Sequence, residues 1–381
     1  MARSPPPRRP PELMEELVEE ILLRLPPDEP AYLVRAALVC KLWCRIFSDC
    51  NFRRRFREFH RSPPLLGYIN KPCFDSDGKA PRIVPTTSTA SIPFFSLPVL
   101  KHWWAVDSRH GRVLIISYQE PHIEPVRLIV WDPITGSQKH LTVPDYPHTV
   151  KTGAVLCAVD GCNHLDCHGG PFRVVSVSAE YVEGVRLTWV NVYTSETCQW
   201  SAPTYIRIDS HVVKTPSLLM GDALYFLLQF GMHILRYDLS KHALSLIGTP
   251  RLREPVTVED GDGGLGLMFM FGDSIFVLSL DHNASTEGDS RWAQRPRFVM
   301  ELGTLLPSHP CGKSQVIGTV EGTDTVFILS TVGLFTLNLT SRKVIRKVGS
   351  GEDIFDTVLP YRSFYIPDIG KGGQSPPCIE G

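Results

Sequence analysis

Five side chains within one short stretch have the donor chemistry of a metal site: Cys157, Cys162, His164, Cys167 and His168. Thiolate and imidazole suit zinc, and structural zinc takes four such donors in a tetrahedron. The spacing points the other way. No Cys-x-x-Cys pair is present, and Gly161, Gly169 and Gly170 mark the segment as an exposed loop between strands. The expectation is a loop that holds no metal. The run Gly261-Asp262-Gly263-Gly264-Leu265-Gly266 has the glycines of a phosphate cradle. It lacks the Lys-Ser/Thr end and the following helix that would hold phosphates, so it reads as another inter-strand loop. Neither a Gly-x-Ser-x-Gly elbow nor a His-Glu-x-x-His pair occurs. No carboxylates cluster at strand ends, as a propeller hydrolase would require. Catalytic residues and cofactors are therefore not expected, and the chain reads as a non-enzyme.

Composition narrows the remaining classes. The 381 residues are 43% hydrophobic and 21% charged, which is globular. The net charge of -1 creates no global field toward nucleic acid or anionic lipid, so neither is expected as a partner. The start, Met1 to Pro10, has no apolar segment of a secretory signal, and no window approaches the roughly 18 apolar residues of a membrane span. The expected location is cytoplasmic or nuclear, with the ten cysteines as free thiols. The Asn283 and Asn338 sequons then carry no sugar.

The elements are of two kinds. After a Pro/Arg-rich tail over 1–11, expected to be disordered, Leu13, Leu17, Ile21 and Leu25 recur every four residues, which predicts one helix face. Glu15, Glu16, Glu19 and Glu20 lie early and Arg24 late, as the helix dipole prefers. Pro26-Pro27 ends that helix. Asp28 is the expected cap of a second helix that carries Leu33, Val34, Ala37 and Leu38, with Pro30 in its first turn. Trp43, Ile46 and Phe47 continue helically, and Asn51 is the expected cap of a last helix with Phe52, Phe56 and Phe59. Arg53, Arg54, Arg55 and Arg57 read as a solvated face.

Three motifs in this head fall in a telling order: Ile21-Leu22-Leu23-Arg24-Leu25-Pro26, Val39-Cys40-Lys41-Leu42-Trp43, and Ser48-Asp49-Cys50-Asn51-Phe52. Residues 12–60 resemble an F-box. Met14 stands where that family usually has Pro. The resemblance implies docking to a Skp-family adaptor, and through it to a cullin. By motif position the implied adaptor contacts are Leu13, Met14, Leu17, Ile21, Leu22, Leu25, Pro26, Val39, Cys40, Leu42 and Trp43.

The body, residues 65–366, reads as mainly β. Four segments share one form, a strand that ends in a short polar turn: Ile129–Gly136, Val190–Thr197, Leu235–Lys241 and Phe335–Ser341. Each has another strand upstream, at Val113–Ser117, Phe172–Val177, Leu224–Leu228 and Val326–Ser330, and a fifth, degenerate unit lies at Ile275–Leu280. A period of about 40–60 residues is that of four-stranded propeller blades, here about six. Phe364-Tyr365-Ile366 is expected to close the ring against Leu65–Ile69, leaving a flexible tail over 367–381. In texture the body is similar to the F-box-associated β domains of plant F-box families. The whole then reads as the substrate receptor of an SCF-type ubiquitin ligase, with an unknown target protein. The alternatives are an F-box scaffold outside ubiquitination and, less favoured, a propeller enzyme.

Overall fold

A computed structural model describes residues 13–72, 83–86, 94–98, 102–118, 125–143, 150–208, 210, 212, 215–229, 232–281, 292–293, 296–303, 305, 314–331, 333–347 and 355–367. The tail read at 1–11, and all but Pro367 of the one at 367–381, lie outside the described residues. The chain divides into two compact units. One comprises Met1–Pro64, Thr89–Ile92 and Phe364–Gly381; the other comprises Leu65–Ser88 and Pro93–Ser363.

The first unit is helical: α1 (Glu15–Leu22), α2 (Pro30–Ala37), α3 (Lys41–Ser48) and α4 (Cys50–His60). α1 stops short of the prolines, and Leu23 to Leu25 turn out of it through hydrogen bonds to Glu19, Ile21 and Leu22 carbonyls. Pro30 opens α2, where its missing N–H costs nothing, but the N-cap is Glu29, which makes no side-chain cap hydrogen bond, and not Asp28. The cap of α4 is Asp49 and not Asn51: the Phe52 amide donates to its carboxylate at 2.9 Å. A cap must precede the amide it serves by two or three residues, and Asn51 is already inside the helix. Val18, Leu22, Leu33, Ala37, Ile46, Phe47, Phe52 and Phe56 are the buried core. Phe47 meets Phe52 edge-on at 5.4 Å, and Phe364 meets Phe56 at 6.2 Å. Residues 364–366 thus form no strand and belong to this unit.

The arginine run is less solvated than expected. Arg55 pairs with Glu19 at 2.7 Å and Glu20 at 2.9 Å, and Arg53 Nε donates to the Phe47 carbonyl at 2.7 Å. These bonds tie α4 to α1 and to the end of α3. Cys50 is in a disulfide, unlike the six described cysteines that are free.

The second unit is antiparallel β. It opens with β1 (Leu65–Pro72) and β2 (Val84–Pro85). One four-stranded sheet follows in β3 (His102–Arg109), β4 (Arg112–Tyr118), β5 (Pro125–Trp131) and β6 (Gln138–Leu141). The next holds β7 (Val150–Cys157), β8 (Phe172–Val182), β9 (Val185–Thr194) and β10 (Gln199–Trp200), with β11 (Thr204–Arg207) also paired to β9. A third holds β12 (Leu218–Met220), β13 (Ala223–Leu227), β14 (His233–Asp238) and β15 (Ala243–Gly248). A fourth holds β16 (Val256–Glu259), β17 (Leu265–Phe271), β18 (Ser274–Ser279) and β19 (Arg297–Glu301). The fifth holds β20 (Gln315–Thr319), β21 (Thr325–Ser330), β22 (Gly333–Asn338) and β23 (Lys343–Lys347). The last strand, β24 (Phe355–Arg362), returns to pair with β1 in the order β2-β1-β24.

These sheets are the six blades of a β-propeller, and the protein is mainly β as its repeats predict. The predicted strand pairs are the second and third strands of their blades. First strands lie side by side around the axis, β3 against β7, β16 against β20, and β24 against both β20 and β3. The ring closes through β1 as expected, but its partner is 355–362, not 364–366. Closure pairs β24 with β1 and so ties the end of the ring to its start, leaving only the short outer edges that a propeller keeps.

No single centre holds the apolar core. Among the described residues an apolar layer fills the interfaces from the first blade through to the sixth, because each sheet is apolar on both faces. Val106, Leu114 and Leu128 of the first blade pack on Val174 and Tyr193 of the second. Val175 and Val190 pack on Leu224 and Phe226, and Tyr225 and Ile234 on Leu265 and Leu267. Met268 and Val277 pack on Val316 and Ile328, and Phe327 and Leu334 on Tyr68 and Val358. The polar residue after a third strand caps the turn, as its side chain is short enough to reach amides two and three residues on. Asp132 Oδ1 accepts from Ile134 at 2.9 Å, Asp238 Oδ1 from Lys241 at 2.9 Å, and Asn338 Oδ1 from Ser341 at 2.7 Å.

Candidate functional site

The four-residue repeat of the head lies on the outside. Leu17 is 47% exposed and Ile21 50%, and Leu13 and Met14 are exposed beside them. The core is served instead by Val18 and Leu22, one step round the helix, at 4% and 0%. α1 is therefore apolar on two neighbouring stripes, and only one is used for folding. Water-facing apolar rows of this size mark interaction surfaces. A second exposed apolar group, Leu38 and Val39, lies at the end of α2 with Cys40, the exposed residue that precedes α3. Residues 11–55 match the family model of the F-box domain. The helical head is an F-box domain.

Exposure differs among the residues implied by motif. Leu13, Met14, Leu17, Ile21, Pro26, Val39 and Cys40 are exposed, and Leu25, Leu42 and Trp43 are partly so. Leu22 is a correction: it is fully buried among the helices and has no surface to offer. Leu38 is the residue that periodicity missed. Expected on the apolar face of the second helix, it stands just beyond the last turn of α2, where the chain leaves the packed face. Its signal was its place directly before Val39-Cys40-Lys41. Met14 has φ of -61° and ψ of 145° at the N-cap of α1, within the range of a proline.

Two polar centres lie in the propeller. At the axis Arg109, on β3, is buried against Asp107 and Glu321. Its Nη2 reaches Glu321 Oε1 at 2.5 Å, its Nε reaches Oε2 at 2.9 Å, and it also bonds the hydroxyl and carbonyl of Ser217. Asp107 in turn accepts from the Val155 amide of β7 at 2.6 Å. The Leu219 amide of β12 donates to Glu321 at 3.0 Å, and Arg362 of β24 donates to its carbonyl at 2.6 Å. Burial pushes the Asp107 carboxyl up to about 6, despite Arg109 beside it. Asp107 and Arg109 pair within β3, and bonds to Val155, Ser217 and Glu321 tie that pair to other blades, which is the pattern of a clasp. The sequence gives no hint of Glu321, which stands far along the chain from Arg109.

The second centre is the loop between β7 and β8. The structure gathers Cys157, Cys162, His164 and Cys167 so that their donor atoms all lie within 4.8 Å of one another. His168, the fifth residue of the sequence cluster, is turned away: its Nδ1 meets Asp132 Oδ2 at 2.5 Å and its Nε2 meets Ser363 Oγ at 2.9 Å. A hydrogen bond with Cys167 pulls the Cys157 thiol down to about 5, and Cys167 rises in response. Gly111 packs under the His168 ring at φ +74°, and a Cβ there would stand 2.7 Å from the ring. The glycine run at 261–266 is a turn at 261–264 that leads into β17, held by the Asp262 and Gly264 amides on Asp260 Oδ1.

No curated protein sequence matches the chain. Among solved structures it is similar to TolB from Acinetobacter baumannii, at 14% identity and a TM-score of 0.41, over 75% of this chain and 65% of that one. It is also similar to the WD40 domain of SCAP from fission yeast, at 12% identity and a TM-score of 0.38, over 68% of this chain and 56% of that one. The chain spans less than two thirds of either. Among the described residues no helix is long and apolar enough to cross a membrane.

Proposed function

We propose that this chain is the substrate-recognition subunit of an SCF-type ubiquitin ligase. The F-box docks a Skp-family adaptor, and through it a cullin, while the propeller captures a target protein. The observation that carries this reading is the second apolar stripe of α1: Leu13, Met14, Leu17 and Ile21 lie outside a core that is complete without them. Adaptor contacts are Leu13, Met14, Leu17, Ile21, Pro26, Leu38, Val39 and Cys40, flanked by the partly exposed Leu25, Leu42 and Trp43. An apolar surface of that kind gains on association what it could not gain on folding.

The chain does no bond chemistry in this reading. Its contribution is to hold a target near a ubiquitin-loaded enzyme, which converts a chance encounter into a tethered one at raised effective concentration. The setting is the cytoplasm or nucleus, and the likeness of the body to F-box-associated β domains of plant families supports the same architecture. The test is co-purification of the full-length chain with a Skp-family adaptor. Leu17→Asp with Ile21→Asp places two charges on the apolar stripe, at a cost of several kcal/mol on burial against a partner. Adaptor should be lost while the circular dichroism spectrum is kept. Retention of adaptor at the wild-type level would refute the docking surface.

A further inference from the structure

We propose that Cys157, Cys162, His164 and Cys167 bind one zinc ion, a Cys3His site that fastens the loop 158–171 to the end of β7. The argument starts from distances. Zinc–sulfur bonds of about 2.3 Å and zinc–nitrogen bonds of about 2.0–2.1 Å at tetrahedral angles put neighbouring donor atoms about 3.5–3.8 Å apart. Cys162 Sγ and Cys167 Sγ are 3.7 Å apart, and Cys167 Sγ is 3.7 Å from His164 Nδ1. The fourth donor, Cys157 Sγ, falls within the same 4.8 Å cluster from the last residue of a strand. Sulfurs at 3.7 Å are far beyond the roughly 2.05 Å of a disulfide, so the loop holds its thiols as a group and not as a bonded pair.

The surroundings are those of a ligand set. The His164 amide donates to Cys162 Sγ at 3.4 Å, a bond that steadies a thiolate. The His110 ring stacks on the His164 ring at 4.0 Å and 16°, and its Nδ1 accepts from the Cys157 amide at 3.0 Å. One imidazole therefore orients two of the four ligands, as groups behind metal ligands do. Three thiolates around a divalent ion leave one net negative charge. Arg112 stands beside it, donating to the Cys167 carbonyl and to the Gly170 carbonyl at 2.7 Å. Its other nitrogen, Nη1, is buried without a hydrogen-bond partner among the described residues.

The donor types choose the metal. Calcium and magnesium want oxygen, and the set has none; iron–sulfur clusters in general take four cysteines. Three sulfurs and one nitrogen at tetrahedral spacing suit zinc. The backbone shows why the spacing misleads. Gly161 at φ 67° and His164 at φ 58° both turn through the left-handed region, so Cys162 and His164 fold back on Cys157 across a gap that a regular knuckle would span differently.

The experiment is elemental analysis of the full-length chain purified under reducing conditions without chelator. About one zinc per chain is expected. Cys162→Ser and His164→Asn should each lose most of it, whereas His168→Asn, whose ring faces Asp132 and Ser363, should keep it. Since a ligand variant can fail to fold, the wild-type chain is also stripped and reloaded with cobalt(II). Strong visible ligand-field absorption with a thiolate charge-transfer band is the signature of a tetrahedral sulfur-rich site. Chelation should also open the loop to protease between 158 and 171. Well under one metal per chain with no cobalt spectrum overturns the proposal. So does zinc that stays at full occupancy in both Cys162→Ser and Cys167→Ser, or a Cys162–Cys167 disulfide in metal-free protein.

Discussion

The F-box and the propeller break the same rule in opposite directions. On α1 the apolar residues face water: Leu17 and Ile21 are half exposed while the helix core is already filled. At the propeller axis the charges face inward: Asp107 is 1% exposed, and Arg109 is buried with it. Apolar surface left out of a completed core marks a place where another chain completes it. Charge carried into a core is tolerable only when each group is matched, and at the axis Asp107 and Arg109 match each other while Glu321 of another blade completes the set. The first inversion belongs to binding and the second to architecture. They should therefore fail separately, and that separation is what can be tested.

The largest effect is expected at the axis. Arg109→Met leaves the Asp107 carboxylate buried without its charged partner and removes the two bonds by which Arg109 ties Glu321 to β3. Breaking a buried pair from one side costs about 3–5 kcal/mol, so the urea midpoint should fall sharply. Adaptor binding by whatever remains folded should be unchanged. A variant that loses adaptor but not stability would reverse the assignment of the two regions.

The same centre carries a pH signature that the apolar stripe lacks. Burial raises Asp107 from 3.8 to about 6 in the folded protein. Between about pH 4 and about pH 6 the native state keeps a proton that the unfolded chain has released, so stability falls as pH rises across that window. The contribution is fully present below the unfolded value and gone above the folded one. In Asp107→Asn the group cannot titrate, and the stability difference between variant and wild type should change across that range and level off above it. A difference that stays flat from acid to neutral would mean that folding leaves this carboxyl unshifted.

Next in size is a contrast inside one helix. Leu22→Ala empties a packed core position and should cost about 2–5 kcal/mol of stability. Leu17→Ala removes an exposed side chain and should change stability by about 0.5 kcal/mol or less, but it should weaken adaptor binding. Thermal melts and a binding titration on the same two proteins give the four numbers. Equal losses of stability would erase the distinction between the two stripes.

Much of this was legible in the sequence, and the failures have physical reasons. Four blades were readable because each repeats one hairpin with a short polar residue at its turn, Asp132, Asp238 or Asn338 in three of them, and local hydrogen bonding favours that choice. The three F-box motifs were readable because each is contiguous. What periodicity could not tell was which stripe of α1 is inside, since Leu17 and Leu22 are equally apolar and only tertiary packing separates them. The caps were misplaced by a residue or two, because Asp28 and Asn51 have the right chemistry but stand one step before and two steps after the caps that form. The Cys157–Cys167 ligand set was set aside on spacing, and spacing rules assume a regular knuckle. Here the ligands meet through two left-handed turns and a strand end, which no count of intervening residues reveals. Glu321 was invisible for a simpler reason: only ring closure brings it to Arg109.

The smallest effect expected concerns the entry to α1. The family usually has Pro where this chain has Met14, and the backbone there already has φ of -61°. Proline would fit without strain, and no hydrogen bond from the Met14 amide is lost within the helix, since an N-cap amide has no partner there. The substitution removes freedom from the unbound segment, so less is left to lose when the adaptor orders it. Compatible proline substitutions gain about 0.4–1 kcal/mol, and Met14→Pro should tighten adaptor binding by about twofold to fivefold. The thioether works against this, since Met14 offers apolar contact that the smaller ring does not fully replace. Calorimetric titration of both proteins with the same adaptor decides which term wins. A clear weakening would show that the exposed stripe binds through side-chain contact at Met14 and that its backbone is ordered enough without proline.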